Sequence, residues 1–164
     1  MGVLVILLPF PTPPLIVLGA LELLAEDRRR EPGRSARSGV AADIERPWEP
    51  AGCSSELGAA MWDWCGDVAA WINHEYAWRP AAMVPACWRS HPHIARELPV
   101  LTVLRWQAEL ATGPELVEEW NRYAFPMFCD RMVGRLGEST CRTGRHQAWP
   151  AESRYVAFLG TAGS

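Results

Sequence analysis

The chain has 164 residues, 49% of them hydrophobic and 21% charged, with a formal net charge of −3. That length allows one domain with an extension, and the composition excludes a disordered polypeptide. The charge excludes a molecule drawn as a whole to nucleic acid or to an anionic membrane.

The segment from Met1 to Leu21 carries no charge and is strongly apolar. A membrane-spanning helix needs roughly 20 such residues. Pro9, Pro11, Pro13 and Pro14 stand in its middle, and each interior proline costs a helix about 3 kcal/mol, so one straight spanning helix is not expected. No basic residue precedes Arg28, and Leu18-Gly19-Ala20 is a weak cleavage site. Residues 1–25 therefore read as an apolar leader. It is a dispensable or misassigned start, a membrane anchor, or an extended segment packed on the domain. As an anchor, it would be followed by Arg28, Arg29 and Arg30, which favour a cytoplasmic bulk.

Residues 26–56 are rich in Arg, Glu, Pro, Gly and Ser and lack apolar periodicity, as a flexible linker does. The acids interleaved among its arginines cancel much of any phosphate-seeking field. The domain proper is expected over 57–158, with 159–164 as a tail. Its class is mainly α: a small helical domain of about four helical segments.

Leu57, Met61, Trp64, Val68, Trp71, Ile72 and Tyr76 recur at helical spacing and predict an amphipathic helix from about Ser55 to Tyr76. Asp63 and Asp67, four apart on another face, are a wet face or a weak metal pair. Ser90-His91-Pro92 reads as the next helix start. Apolar positions continue to about Ala111, with Pro99 expected to kink or split the helix. Thr112-Gly113-Pro114-Glu115 has the order of a capping box, and Leu116, Trp120 and Tyr123 form a stripe that Pro126 should break. A last helix, Met127 to Leu136, ends at Gly137. From Glu138 onward the chain reads mostly as loop, with a short strand or turn at Tyr155–Leu159.

Eight of the nine tryptophans lie between Trp62 and Trp149. Each large ring that is buried removes about 150–250 Å² from water, worth about 25 cal/mol per Å². Packed indoles can thus hold a domain of roughly 100 residues without help.

The same stretch holds two Cys–His pairs, Cys87-x3-His91 and Cys141-x4-His146. Two thiolates and two imidazoles suit tetrahedral zinc, and either short spacing lets both members of a pair reach one ion. Cys87, His91, Cys141 and His146 are the expected ligands, with His93 and Cys129 as substitutes. The plainer alternative has Cys87 buried, His91 capping a helix, and the second pair in an ordinary loop. Five widely spaced cysteines do not form a disulfide framework; reduced thiols and a cytoplasmic location are expected. Cys87 with a histidine base would also meet the residue demand of a small hydrolase, but the chain has no GxSxG, no HExxH and no phosphate-cradling glycine loop. The acid-poor patch of Arg131, Arg135, Arg142 and Arg145, with tryptophans beside other arginines, is the candidate nucleic-acid surface. Such arginines more often pack across core rings.

Taken in order, these features resemble a known pattern. A Trp-rich helix ends at Tyr76; Cys87-Trp88-x-x-His91-Pro92 follows; then come Trp106, Glu119-Trp120-Asn121, Pro126-Met127 and Cys141-x4-His146. This is similar to an uncharacterised domain family carried on plasmids and phages of high-GC Gram-positive bacteria. The resemblance spans about Leu57 to Trp149 and brings no assigned activity. It implies an accessory protein of a mobile genetic element and strengthens the zinc reading of the two Cys–His pairs; the leading expectation is a small helical binding module, zinc-stabilised, whose partner is another protein or DNA. A membrane contact would come only through the leader.

Overall fold

A computed structural model of the chain describes residues 6–30, 44–148 and 150–162. The larger part of the predicted linker, 31–43, and Trp149 lie outside the described residues. The fold is mainly α, with no strand among the described residues.

The α2 helix (Ser55–Glu75) forms where the periodicity predicts it. Ser54 caps it, its hydroxyl accepting the Leu57 N–H at 3.4 Å. Its apolar stripe is the heart of the core: Leu57, Met61, Trp64, Cys65, Val68, Trp71 and Ile72 are all buried. Asp63 lies on the exposed side and pairs with Arg89 at 3.1 Å, so the acidic pair is the wet face. In the last turn of α2 the Asn73 side chain grips the returning chain at both backbone groups of Val84. Its Nδ2 donates to the Val84 carbonyl at 2.9 Å, and its Oδ1 accepts the Val84 N–H at 2.7 Å.

The α3 helix (Pro92–Glu109) begins with proline in its first turn, where a missing N–H costs nothing. Pro99 does not split it: α3 runs through Pro99 as one continuous helix. Pro99 is itself buried, as are Leu98, Leu101 and Thr102 beside it in the helix, and burial of this stretch outweighs the lost backbone bond. Replacing Pro99 with alanine removes about two buried methylenes, near 1.6 kcal/mol. It also relieves a helix penalty of about 3 kcal/mol. Pro99→Ala is therefore expected to stabilise the chain by about 1 kcal/mol, seen as a higher urea midpoint at unchanged slope.

Two further expectations about helix ends give way. The stretch from Thr112 makes no capping box: α4 (Glu115–Glu119) starts after Pro114, without a side-chain cap. Pro126 does not break the run either. Trp120–Ala124 is a single wide turn, in which the Phe125 N–H reaches back five residues to the Trp120 carbonyl, and α5 (Phe125–Leu136) follows directly. A proline ring would strike the carbonyl four residues back in a regular helix; the wide turn moves that carbonyl away. Gly137, at φ +53°, ends α5.

Of the readings of the leader, a segment packed on the domain is the one supported, while both ends carry helices that the sequence does not predict. The α1 helix (Leu15–Arg30) crosses from the predicted leader into the predicted linker. Val17 is completely buried, and Phe10, Ala20 and Leu21 pack on the core. The part of the linker next to α2 is not a free tether: Pro47 is buried and Trp48 packs on the core, because this short run carries the linker's only large ring. Among the described residues no helix is long and apolar enough to cross a membrane. The tail, expected as loop with a short strand or turn, holds α6 (Pro150–Ala162); proline starts it and mostly helix-tolerant residues follow.

The aromatic core is as dense as the sequence suggests. Trp64, Trp71, Trp88 and Trp120 are buried, and of the described indoles only Trp78, 95% exposed, stands in solvent. Trp120 stacks on Phe125 at 5.0 Å. The Arg105 guanidinium lies 5.4 Å from the Phe10 ring and 5.7 Å from those of Trp71 and Trp120. It also pairs with Glu109 at 2.6 Å. The charge sits against ring faces, where a weakly hydrated guanidinium is well placed.

Candidate metal centre

The first Cys–His pair is positioned by α2. Trp88 is buried and its ring lies 5.2 Å from that of Trp62. The Arg89 guanidinium donates to the Trp62 carbonyl at 2.9 Å as well as pairing with Asp63. These contacts anchor a short 3-10 turn, Trp88–Ser90, with Cys87 before it and His91 after it. His91 is the N-cap residue of α3 by position, but its side chain makes no cap bond. Its Nε2 instead faces the Cys87 Sγ at 3.3 Å.

The second pair is positioned from α5. The Arg142 guanidinium donates to the Val133 carbonyl at 2.8 Å, tying the 3-10 turn Thr140–Thr143 to that helix. Gly144 adopts φ +84°, a left-handed conformation that glycine enters without strain. It sends the chain back so that the Arg145 N–H reaches the Thr140 carbonyl at 3.2 Å. His146 Nδ1 then stands 3.8 Å from the Cys141 Sγ.

The two pairs converge. One ligand atom from each of Cys87, His91, Cys141 and His146 lies within 4.8 Å of every other. Around tetrahedral zinc, with bonds near 2.0–2.3 Å, the edges between ligand atoms are about 3.3–3.8 Å; the two distances within the pairs fall in that range. Cys141 and His91 are buried, Cys87 is half-buried and His146 exposed, so the centre lies at the rim of the core with one imidazole outward. Gln147 adds a polar contact, its N–H donating to the Cys141 Sγ at 3.1 Å. A thiolate accepts such a bond well.

The surroundings work against the ionised forms of Cys87 and His91. Burial pushes the Cys87 thiol up, and neighbouring Cys141 pushes it further. Burial pulls the His91 imidazole down, and His146 beside it adds to this. A dication among the four would favour thiolate and neutral imidazole together.

The substitute ligands do not join. The His93 ring lies 6.0 Å from that of His91, and burial, then Arg135, pulls its imidazole down. Cys129 is a core thiol pushed up to about 11, mainly by burial; Cys65 is pushed up to about 12 in the same way. Neither is part of the cluster.

The arginines singled out for nucleic acid are largely engaged within the chain. Arg131 and Arg135 both bind the Glu97 carboxylate, and Arg142 is spent on Val133. Arg145 lies exposed in the loop before His146. The sequence reading missed Gln147 and the part played by Gly144. A glycine inside Cys-x4-His is the local signal of a reversing turn and could have pointed to both. No family model, no curated protein and no solved structure matches the chain.

Proposed function

We propose that Cys87, His91, Cys141 and His146 hold one structural zinc ion, and that the protein is a zinc-stabilised helical binding module. The observation that carries this is the convergence of four sulfur and nitrogen atoms from two distant parts of the chain. Four protein ligands fill a tetrahedral zinc and leave no position for substrate, which is the pattern of a structural site. The ion would fasten the segment after α5 to the start of α3. A thiol nucleophile is the poorer reading, because catalytic cysteines are activated by a lowered pKa and Cys87 is pushed up.

The partner in this proposal is another protein before DNA, since Glu97 neutralises two of the four arginines. Service to a plasmid or phage belongs to the same proposal and is supported by the Cys87-to-Pro92 block with the late Cys–His pair. A cytoplasmic setting suits the free thiols.

Elemental analysis of the untagged chain, purified without added metal, tests the central claim. About one zinc per chain is expected. Cobalt(II) exchanged into the site should show the visible bands of a tetrahedral centre with thiolate ligands. A folded chain that retains neither zinc nor cobalt overturns the proposal.

A further inference from the structure

The proline-rich segment near the start of the chain contacts α2 through two backbone carbonyls three residues apart. Residues 6–14 form no regular secondary structure. Four prolines fix φ near −65° in this stretch and push the residues before them toward the same region, so its physical preference is the polyproline II helix. From Pro9 to Pro14 the burial pattern has the matching period of three, whereas Ile6, Leu7 and Leu8 are all exposed. Pro9 and Thr12 are exposed, Phe10 and Pro13 point inward, and Pro11 and Pro14 are half-buried.

The polar contacts keep the same period. The Trp71 indole N–H donates to the Leu8 carbonyl at 3.0 Å, and the Trp64 indole N–H donates to the Pro11 carbonyl at 2.9 Å. Three residues of polyproline II advance about 9.3 Å; the seven residues between Trp64 and Trp71 advance about 10.5 Å along a helix. The two repeats are nearly in step. Phe10 fills the gap, its ring edge-on to Trp71 at 5.1 Å and to Trp64 at 6.3 Å. Glu75 closes the outer end by accepting the Leu8 N–H at 2.9 Å. Indole N–H groups aimed at main-chain carbonyls, with rings between prolines, are how aromatic grooves read proline-rich segments.

We propose that the Trp64–Trp71 face of α2 is a polyproline-binding groove, with Leu8–Pro14 as its resident ligand, and that a proline-rich segment of a partner protein takes the same seat. Both key bonds are to backbone carbonyls, so the groove reads the conformation more than the side chains. The resident segment competes at the high effective concentration of a tethered ligand, in the millimolar range. It therefore sets the threshold that a partner must exceed. This inference does not depend on the metal.

The test uses the full chain, labelled at its indole nitrogens, and a synthetic peptide with the sequence of residues 6–16. Phe10→Ala loosens the resident segment and leaves both indoles in place. The peptide should shift the Trp64 and Trp71 indole signals of this variant and bind it at least about tenfold more tightly than the unaltered chain. The same peptide with alanine for every proline should bind neither. A Phe10→Ala chain with intact helical circular dichroism and no peptide-dependent shift overturns the proposal. If the variant loses its helices, the unaltered chain is titrated to millimolar peptide, and unmoved indole signals there overturn it equally. A concentration-dependent dimer of the variant with both indoles occupied would assign the seat to a second copy and also overturn it. Zinc content is expected to stay the same in every arm, so failure here is separable from failure of the metal reading.

Discussion

Cys141→Ser should lower the thermal midpoint by about 10 °C, and a strong chelator should lower that of the unaltered chain by a similar amount. Serine is close to cysteine in size, and it can still accept the Gln147 N–H that Cys141 Sγ receives. On the proposed zinc reading, the substitution therefore removes metal affinity with little loss of packing. In zinc-finger peptides the metal supplies about 10–16 kcal/mol because nothing else holds the fold. Here α2 and α3 bury a large apolar core of their own, so only the stability of the clipped segment is at stake, on the order of 3–5 kcal/mol. For a chain of this size each kcal/mol is about 2–4 °C. Helical circular dichroism should persist at room temperature. The chelator should leave Cys141→Ser unmoved, since that chain has no ion to lose. If the chelator shifts neither chain and the serine variant loses less than about 1 kcal/mol, the four side chains are ordinary neighbours without an ion.

The parts of this structure that sequence reveals are those set by local periodicity. The stripe from Leu57 to Ile72 repeats so regularly that only one helix face can be buried, and it is. Cys87–His91 and Cys141–His146 were legible as pairs because three or four residues span one turn. Their convergence depends on Trp88 against Trp62 and on Arg142 against Val133, contacts with no local signature. The breaks expected at Pro99 and Pro126 fail for one cause. Proline's penalty of about 3 kcal/mol is real, but it is a local quantity. A buried neighbourhood outweighs it at Pro99, and one wide turn relieves it at Pro126. The apolar composition of the N-terminal segment leaves lipid and a protein groove undistinguished. The distinguishing information lay in α2, where Trp64 and Trp71 stand two helical turns apart with indole N–H groups that require acceptors.

Trp120→Ala should be the most damaging single substitution in the core. The indole is buried, and its N–H donates to the Leu101 carbonyl at 3.1 Å, joining the wide turn to α3. It stacks on Phe125, lies 5.5 Å from Tyr76 and 6.3 Å from Trp71, and shares Arg105 with Trp71 and Phe10. Truncating a buried tryptophan costs about 3–5 kcal/mol. The lost ring pairs add about 0.5–1.5 kcal/mol each where neighbours cannot close the gap. The upper end of that range is expected, because Arg105 would be left beside a cavity. Against a total stability of about 5–15 kcal/mol, the variant should unfold at a much lower urea concentration. Trp120→Phe separates the contributions: it keeps a ring against Phe125 and loses the bond to Leu101, for about 1–2 kcal/mol. Trp78→Ala, at the exposed indole, should change stability by no more than about 0.5 kcal/mol. Equal urea midpoints for the Trp120→Ala and Trp78→Ala chains would mean that the ring cluster around Arg105 does not hold the helices together. A large loss for Trp120→Ala with a small one for Trp120→Phe would locate the stability in ring packing rather than in the indole hydrogen bond.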